Sequence, residues 1–337
     1  MKKIFFLVPI IIILSACTNS VEDVVQSISG ETMGTTFTVK FTSEKPFDIL
    51  EIESNINNLL KKVNLQMSTY IPYSELSLFN KSTDTNWINV SYDLAFVINS
   101  AQNISKLSEG KFDITIAPLV NLWGFGPQNR PSKIPTQKEI DEQRNYVGYK
   151  NIEVRLSPPS IKKHHPKITC DLSAIAKGFG VDKIYEYLKL KGLNNYLVEI
   201  GGELRASGKK SDNNWIVGIS SPIQSVTIQE KISLNNLSMA TSGDYWNYFE
   251  ENGIRYSHTI DPLTGKPITH NLASVTVVSN NCMESDAFAT AIDVMGPELG
   301  LQFAKNNELK VYYIVKEENK FRSFQTAQFE NLLSKGN

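Results

Sequence analysis

From Gly30 to Phe41 the chain alternates Thr, Val and Phe with their neighbours, the two-residue period of a β-strand. The period then lengthens. Over Phe47–Leu65, Ile49, Ile52, Ile56, Leu59, Leu60 and Val63 recur at helical spacing and predict an amphipathic helix. A second helix is predicted over Asp93–Leu107, ended by Gly110. The prolines of Gly126–Pro135 predict a loop, and Ser157–Pro166 a hairpin tip. Asp171 is placed as the cap of a further helix, with Ile175, Phe179, Ile184 and Leu188 facing a core and a stop near Gly192. A strand over Asn195–Ile200 runs into a tight turn at Gly201-Gly202, and strand patterns recur at Trp215–Ser220 and Leu272–Ser279. A helix over Met283–Met295 stops at Gly296-Pro297, and Val311–Val315 opens a closing pair of strands. Helices and strands alternate irregularly, so the pattern predicts an α+β fold with a mainly antiparallel sheet and helices packed on it.

The chain's start has a different pattern. Met1-Lys2-Lys3 precedes the apolar run Ile4–Leu14, then Leu14-Ser15-Ala16-Cys17. That run is shorter than the roughly 20 residues a membrane-spanning helix needs, so residues 1–16 read as a secretory signal. Leu-Ser-Ala-Cys resembles the bacterial lipobox, which implies that Cys17 is lipidated and becomes the new N-terminus. Acyl chains would then hold a soluble domain on a membrane surface. Residues 17–29 look like a tether. Residues 30–337 are enough for one domain, with room for two intimately packed subdomains.

A formal net charge of −1 gives no reason to expect nucleic acid or an anionic membrane as a partner. Besides Cys17 there are only Cys170 and Cys282, which an export route would allow to pair and which are equally well buried free thiols. Without CxxC or HExxH, a structural zinc site is not expected.

Oxygen chemistry is better represented. Asp286 and Thr290 lie four apart on one helix face, a carboxylate and a hydroxyl suited to Mg²⁺, which keeps few protein ligands and fills its shell with phosphate and water. By spacing alone, an ordinary helix-start Asp and a Thr bonded to a backbone carbonyl explain the pair better, and it gains weight only beside its neighbours. Asp171–Gly178 (DLSAIAKG) starts a helix with small residues and then Lys177, a counter-charge for phosphate, while Ala174, Ala176 and Gly178 allow close approach to the backbone. Glu199–Glu203 (EIGGE) reads as a turn, or as a backbone nest for phosphate. Ala240–Tyr245 is a turn with hydroxyls, and His258–Pro262 (HTIDP) puts an imidazole near Asp261 on a loop. Met33, Tyr70 and Phe112 are Met and aromatic side chains of the kind a flat heterocycle stacks on, and equally ordinary core residues.

Taken together, MGTTFTV, MSTYIPYSELSLFN, GKFDITIAPLVNLWGFGP, CDLSAIAKGFGVD, YLVEIGGELRASG, ATSGDYWNYF, YSHTIDPLTGKPITHNLASVTVV and CMESDAFATAIDVMGP resemble the ApbE family of FAD:protein FMN transferases. The resemblance runs from about Gly30 past Pro297. It implies a T-fold-like α+β core and a lipid-anchored, exported, Mg²⁺-dependent enzyme. Such an enzyme moves FMN from FAD to a Thr or Ser of an acceptor through a phosphoester bond, releasing AMP. The implied acceptors are subunits of Nqr- and Rnf-type electron-transport complexes, at the periplasmic face of the inner membrane.

Residue by residue, the resemblance implies Asp286 and Thr290 as metal ligands, joined by the carbonyls of Ala174 and Ala289. It places Met33, Tyr70, Lys111, Phe112, Asp113, Asp171, Lys177 and Ile260 against FAD. His258 becomes the candidate for assisting proton transfer, with Asp261 or Asp286 as substitutes. Ile114, Ala117, Ile71 and Tyr73 depart from the family pattern, and these departures bear on flavin packing rather than on the metal site. A periplasmic FAD pyrophosphatase and a non-catalytic flavin-binding lipoprotein are the competing functional readings.

Overall fold

A computed structural model gives the structure of residues 25–43, 46–127, 133–222, 227–243, 248–251, 253–318 and 320–334. The signal segment, Cys17 and the Asp244-Tyr245 pair lie outside these described residues. None of the described helices is long and apolar enough to cross a membrane.

The main sheet has eight strands: β1 (Gln26–Thr32), β2 (Thr35–Thr42), β3 (Asn195–Ile200), β4 (Glu203–Ser207), β5 (Ser238–Gly243), β6 (Leu272–Ser279), β7 (Lys310–Glu317) and β8 (Lys320–Gln325). Their order in space is their order in sequence, and every neighbouring pair is antiparallel. The sheet is therefore a meander whose connections carry everything else. The helices are α1 (Ile49–Met67), α2 (Glu75–Lys81), α3 (Tyr92–Leu107), α4 (Ala117–Leu122), α5 (Gln137–Arg144), α6 (Ala176–Leu190), α7 (Cys282–Asn306) and α8 (Ala327–Glu330).

Both faces of the sheet are covered, and the strands show it by alternation. Along β7, Val311, Tyr313 and Val315 pack into the core shared with α3 and α7, while Tyr312 and Ile314 pack into a second core on the opposite face. That second core is closed by a three-stranded sheet (Lys209–Lys210, Asn213–Ser220 and Ile228–Leu234) and by Phe329 of α8. A third cluster joins β1–β3 to α1 and α6 through Phe37, Val39, Phe41, Ile56, Leu60, Ile184 and Leu188. A small sheet of Ile88–Asn89, Ile152–Leu156 and Pro159–Lys163 lies outside the main one. Buried Lys163 ties it to the rest, its Nζ donating to the carbonyls of Phe79 and Ile168 at 3.1 and 3.2 Å.

Several boundaries differ from the sequence expectation for local reasons. The strand expected over Gly30–Phe41 is a hairpin, because Met33 (φ 50°) and Gly34 (φ 73°) turn the chain back. Met-Gly is not one of the residue pairs that usually announce such a turn. β1 also begins at Gln26, so the last part of the segment read as tether is sheet. The predicted stop at Gly296 is real as an interruption, with φ 76° and ψ −178°, but Pro297 restarts the helix to Asn306. Proline suits a first helical position, where its missing N–H costs nothing. The expected hairpin tip of Ser157–Pro166 narrows to Ser157-Pro158 between paired strands.

Candidate active site

The centre of the site is the crossing of α6 and α7. A Cβ on Gly178 would lie 2.3 Å from the Cys282 carbonyl oxygen and 2.8 Å from Met283 Cα, so only glycine permits the approach. Gly178 thus serves helix contact, whereas the sequence reading assigned its smallness to ligand approach. The approach lets Asp286 Oδ2 on α7 accept the Gly178 N–H at 3.0 Å. Asp182, one turn further along α6, accepts the N–H groups of Cys282 and Met283, each at 2.9 Å, and pairs with Arg205 at 2.8 Å. Those N–H groups belong to the first turn of α7, which has no intrahelical partners for them.

Asp171 does not cap α6. Ile175 occupies the cap position without a side-chain bond, and Asp171 instead accepts from the N–H (2.7 Å) and hydroxyl of Ser173. The chain makes an extra turn, Leu172–Ile175, before the helix starts, since Ala176 N bonds Leu172 O at 2.8 Å. That turn carries Ala174 into the cleft.

A charged cluster sits at the crossing. Lys177 Nζ lies 2.6 Å from Glu203 Oε1, at the start of β4. Glu203 and Asp286 are 4% and 5% exposed. Burial pushes both carboxyls above their ordinary range, Glu203 to about 7, against the pull of Lys177. Burial would lower the Lys177 pKa, but Asp286 and Glu203 outweigh it and the ammonium is held above its usual value. Lys177 therefore stays charged. Thr290, one turn along α7 from Asp286, has its hydroxyl 3.4 Å from that of Ser242 on β5.

The facing wall comes from two loops. Asp113 is nearly buried and is fully engaged: Oδ1 accepts from Thr115 N (2.8 Å) and Thr115 Oγ1 (2.6 Å), and Oδ2 from Tyr149 N (2.7 Å). Burial lifts its pKa to about 6 despite these bonds. Its side chain shapes the loop Lys111–Ile116. Lys111 pairs with Asp261 at 3.1 Å, joining that loop to the segment His258–Pro262. The second loop is anchored by Trp123 Nε1 donating to Gly265 O at 2.8 Å, and by Thr259 Oγ1 donating to buried Asp293 Oδ2 at 3.0 Å. His258 is half-buried, its ring edge-on to Phe125 at 6.4 Å between centroids.

These walls enclose two adjoining cavities. One, about 690 Å³, is lined by Met33, Val63, Met67, Ile71, Leu172 and Ala176 among others and is mostly apolar. The other, about 360 Å³, is lined by Lys111, Phe112, Asp113, Ala174, His258, Ile260, Asp286 and Thr290 among others. Tyr70, Ser173 and Lys177 border both. The structure therefore brings Met33, Tyr70, Lys111, Phe112, Asp113, Asp171, Lys177, Ile260, His258, Ala174, Asp286 and Thr290 to one cleft. Ala289 is buried on α7 between Asp286 and Thr290 and is not among the lining residues. Glu203, Asp182 and Ser242 are the residues that sequence reasoning did not select. Glu203 was visible only as part of a turn, and the two N–H groups that Asp182 accepts lie 100 and 101 residues away.

Among the described residues, no three His, Cys, Asp or Glu side chains gather as a metal site. A hard divalent cation does not require such a group. The Asp286 carboxylate and Thr290 hydroxyl, one turn apart on a rigid helix, are a donor set that fits it. Cys170 and Cys282 are both buried and unpaired with each other, since they sit in separate cores.

The sequence pattern described as "ApbE family" matches residues 33–314. An FAD:protein FMN transferase of Haemophilus influenzae is 43% identical over 333 residues, covering 95% of this chain and 94% of its own. One from Vibrio cholerae is 41% identical over 328 residues, covering 96% and 97%. Among solved structures, the flavin transferase ApbE of Vibrio cholerae superposes with a TM-score of 0.85 at 39% identity, covering 92% of this chain and 100% of that one. The apo flavinyl transferase ApbE of Pseudomonas stutzeri gives 0.86 at 35%, covering 94% and 98%.

Proposed function

The chain belongs to the ApbE family, and from that membership we propose that it is a transferase that takes FMN from FAD and attaches it to an acceptor protein. The observation that carries the reading is the pair of cavities meeting at Lys177. Two ring systems joined through a diphosphate need two adjoining pockets with a fixed positive charge near the join. The apolar cavity suits a flat ring, and the Lys177 ammonium, pinned by Glu203, suits the phosphates.

The reaction is a phosphoryl transfer. A Thr or Ser hydroxyl of the acceptor attacks the FMN-side phosphorus, forming a phosphoester. The bond to AMP breaks, and AMP leaves with the bridging oxygen and its electron pair. Positioning and charge stabilisation carry such reactions. His258 borders the polar cavity, and its imidazole is the side chain there suited to take the hydroxyl proton. Asp286 and Thr290 would hold Mg²⁺, with the carbonyls of Ala174 and Ala289 as further donors. When bound, the cation would neutralise charge on the diphosphate. Lys111, fixed by Asp261, and Phe112 border the same cavity and orient the substrate from the opposite wall.

The Leu14–Cys17 motif supports export and a lipid anchor at Cys17, and hence a domain working at the periplasmic face of the inner membrane. Membrane electron-transport subunits of the Nqr and Rnf type are the acceptors this location favours.

Mass spectrometry of an acceptor domain incubated with FAD, Mg²⁺ and this protein tests the reading. The expected result is a mass gain of one phosphate-linked FMN with stoichiometric AMP. AMP without a labelled acceptor would mean hydrolysis, and neither product would mean a binding protein.

A further inference from the structure

Glu203 has an oxygen with nothing to do. It lies on the wall of the polar cavity at 4% exposure, and while Oε1 takes the Lys177 ammonium at 2.6 Å, Oε2 has no hydrogen-bond partner from another residue among the described residues. Buried carboxylate oxygens are normally satisfied, because leaving one without a donor costs the folded state its lost hydration. Asp286, its neighbour across Lys177, illustrates the usual case by accepting the Gly178 N–H at 3.0 Å.

The position of Glu203 is built rather than incidental. Gly201 (φ 57°) and Gly202 (φ 100°) form the β3–β4 turn, in a backbone region that favours glycine. Gly202 N donates to Glu199 Oε1 at 2.7 Å, which fixes the turn and sends the next side chain inward. Pairing of Glu203 with Ile200 then locks it at the first position of β4.

Resting on the transferase reading, we infer that Glu203 Oε2 accepts a hydrogen bond from a substrate hydroxyl group. A carboxylate repels phosphate, so its partner must be a neutral or cationic donor, and the reaction brings hydroxyls to this cleft from two sources. One is the sugar chain of the dinucleotide. The other is the acceptor side chain that attacks phosphorus. Both offer the same O–H donor to the same oxygen.

Two variants separate the sources. Glu203→Gln keeps the side-chain size and removes the charge. Glu203→Asp keeps the charge and withdraws the oxygens by one methylene. For each, the FAD dissociation constant is measured by flavin fluorescence, the acceptor KM by transfer rate, and folding by thermal melting. A sugar hydroxyl predicts a rise of about tenfold or more in the FAD constant with acceptor KM within twofold, the size expected for one charge-assisted hydrogen bond. An acceptor hydroxyl predicts the converse. If both constants stay within twofold in a folded variant while melting alone changes, Glu203 is a structural carboxylate and the inference is overturned. Transfer by the wild-type protein in that case leaves the proposed function standing. Absence of wild-type transfer is a failure of that function, which the FAD-binding arm reads separately.

Discussion

Replacing Gly178 by alanine tests whether the α6–α7 crossing makes the site. The added Cβ would meet the Cys282 carbonyl oxygen at 2.3 Å and its carbon at 2.6 Å, both backbone atoms that no rotamer change can move. Ordinary contact begins near 3.4 Å, so α6 must retreat from α7 by about 1 Å. Overpacking of this kind costs about 1–3 kcal/mol, and the retreat also weakens the Gly178 N–H to Asp286 bond, a charge-assisted one worth about 1.5–3 kcal/mol. Alanine's better helix propensity returns about 0.5–1 kcal/mol. The net expectation is a loss of roughly 2–4 kcal/mol in stability.

Activity should fall further than stability implies. Lys177 precedes Gly178 and would move with it, while Asp286 and Thr290 stay on α7. A displacement of about 1 Å between groups proposed to act on one phosphate can cost on the order of 100-fold in rate. The control is Gly180→Ala. Its Cβ would meet Met33 Cε at 3.0 Å and Ile200 Cδ1 at 3.1 Å, the free ends of flexible side chains. Thermal melting and acceptor labelling of both variants decide the matter. Gly178→Ala melting and transferring like wild type would refute the reasoning, and so would Gly180→Ala failing as badly.

Three further outcomes follow from the same geometry. Asp286→Ala and Thr290→Ala should each lose transfer together with its dependence on added Mg²⁺, read by titrating the metal against acceptor labelling; wild-type transfer at ordinary Mg²⁺ in either variant removes that residue from the ligand set. His258→Ala should slow labelling by about 100-fold or more with the FAD dissociation constant little changed, the range for loss of a general base; an equal loss of FAD binding would assign His258 to the pocket wall instead. For Asp113, burial raises the folded-state pKa from 3.8 to about 6, so between those values the folded protein holds more protons than the unfolded chain. Its contribution to stability therefore declines as pH rises from about 4 to about 6 and is level above, by at most about 3 kcal/mol. Comparing melting temperatures of wild type and Asp113→Asn across that window should show a flatter profile in the variant, and parallel profiles would deny the shift.

What the sequence made legible is what depends on neighbours along the chain. β3 and β6 lie at the predicted residues, and α1 and α3 within two of them, because an apolar repeat is a local property. α2, α4 and α5 went unread. They are short, and the sharpest mark of α5 is its capping box at Thr136 and Glu139 rather than any apolar stripe. The set of cleft residues came from the family resemblance, and the residues alone left Asp286 and Thr290 as an ordinary pair. The partnerships that give the set its electrostatics could not be read at all. Lys177 meets Glu203 because two glycines turn β3 into β4, and feels the charge of Asp286 because Gly178 admits α7, partnerships that no spacing encodes.

The cluster at that crossing is expensive for the empty protein. Two nearly buried carboxylates share one ammonium, leaving a net negative charge where the surroundings disfavour it, as the raised pKa values of Glu203 and Asp286 record. A fold selected only for stability would replace such a group with apolar side chains, which commonly match or exceed a buried ion pair. The charges make sense if their partners arrive with the substrate: a phosphate group for Lys177, a cation for Asp286 and Thr290, and a hydroxyl for Glu203. Binding would then supply what folding lacks, and the destabilised cluster would be tightest when the dinucleotide is in place. Stability and transfer should accordingly separate at Glu203 and Asp286, where neutral substitutions relieve a buried charge in the empty protein, and fall together at Gly178, which carries no charge and only sets the distance between the helices.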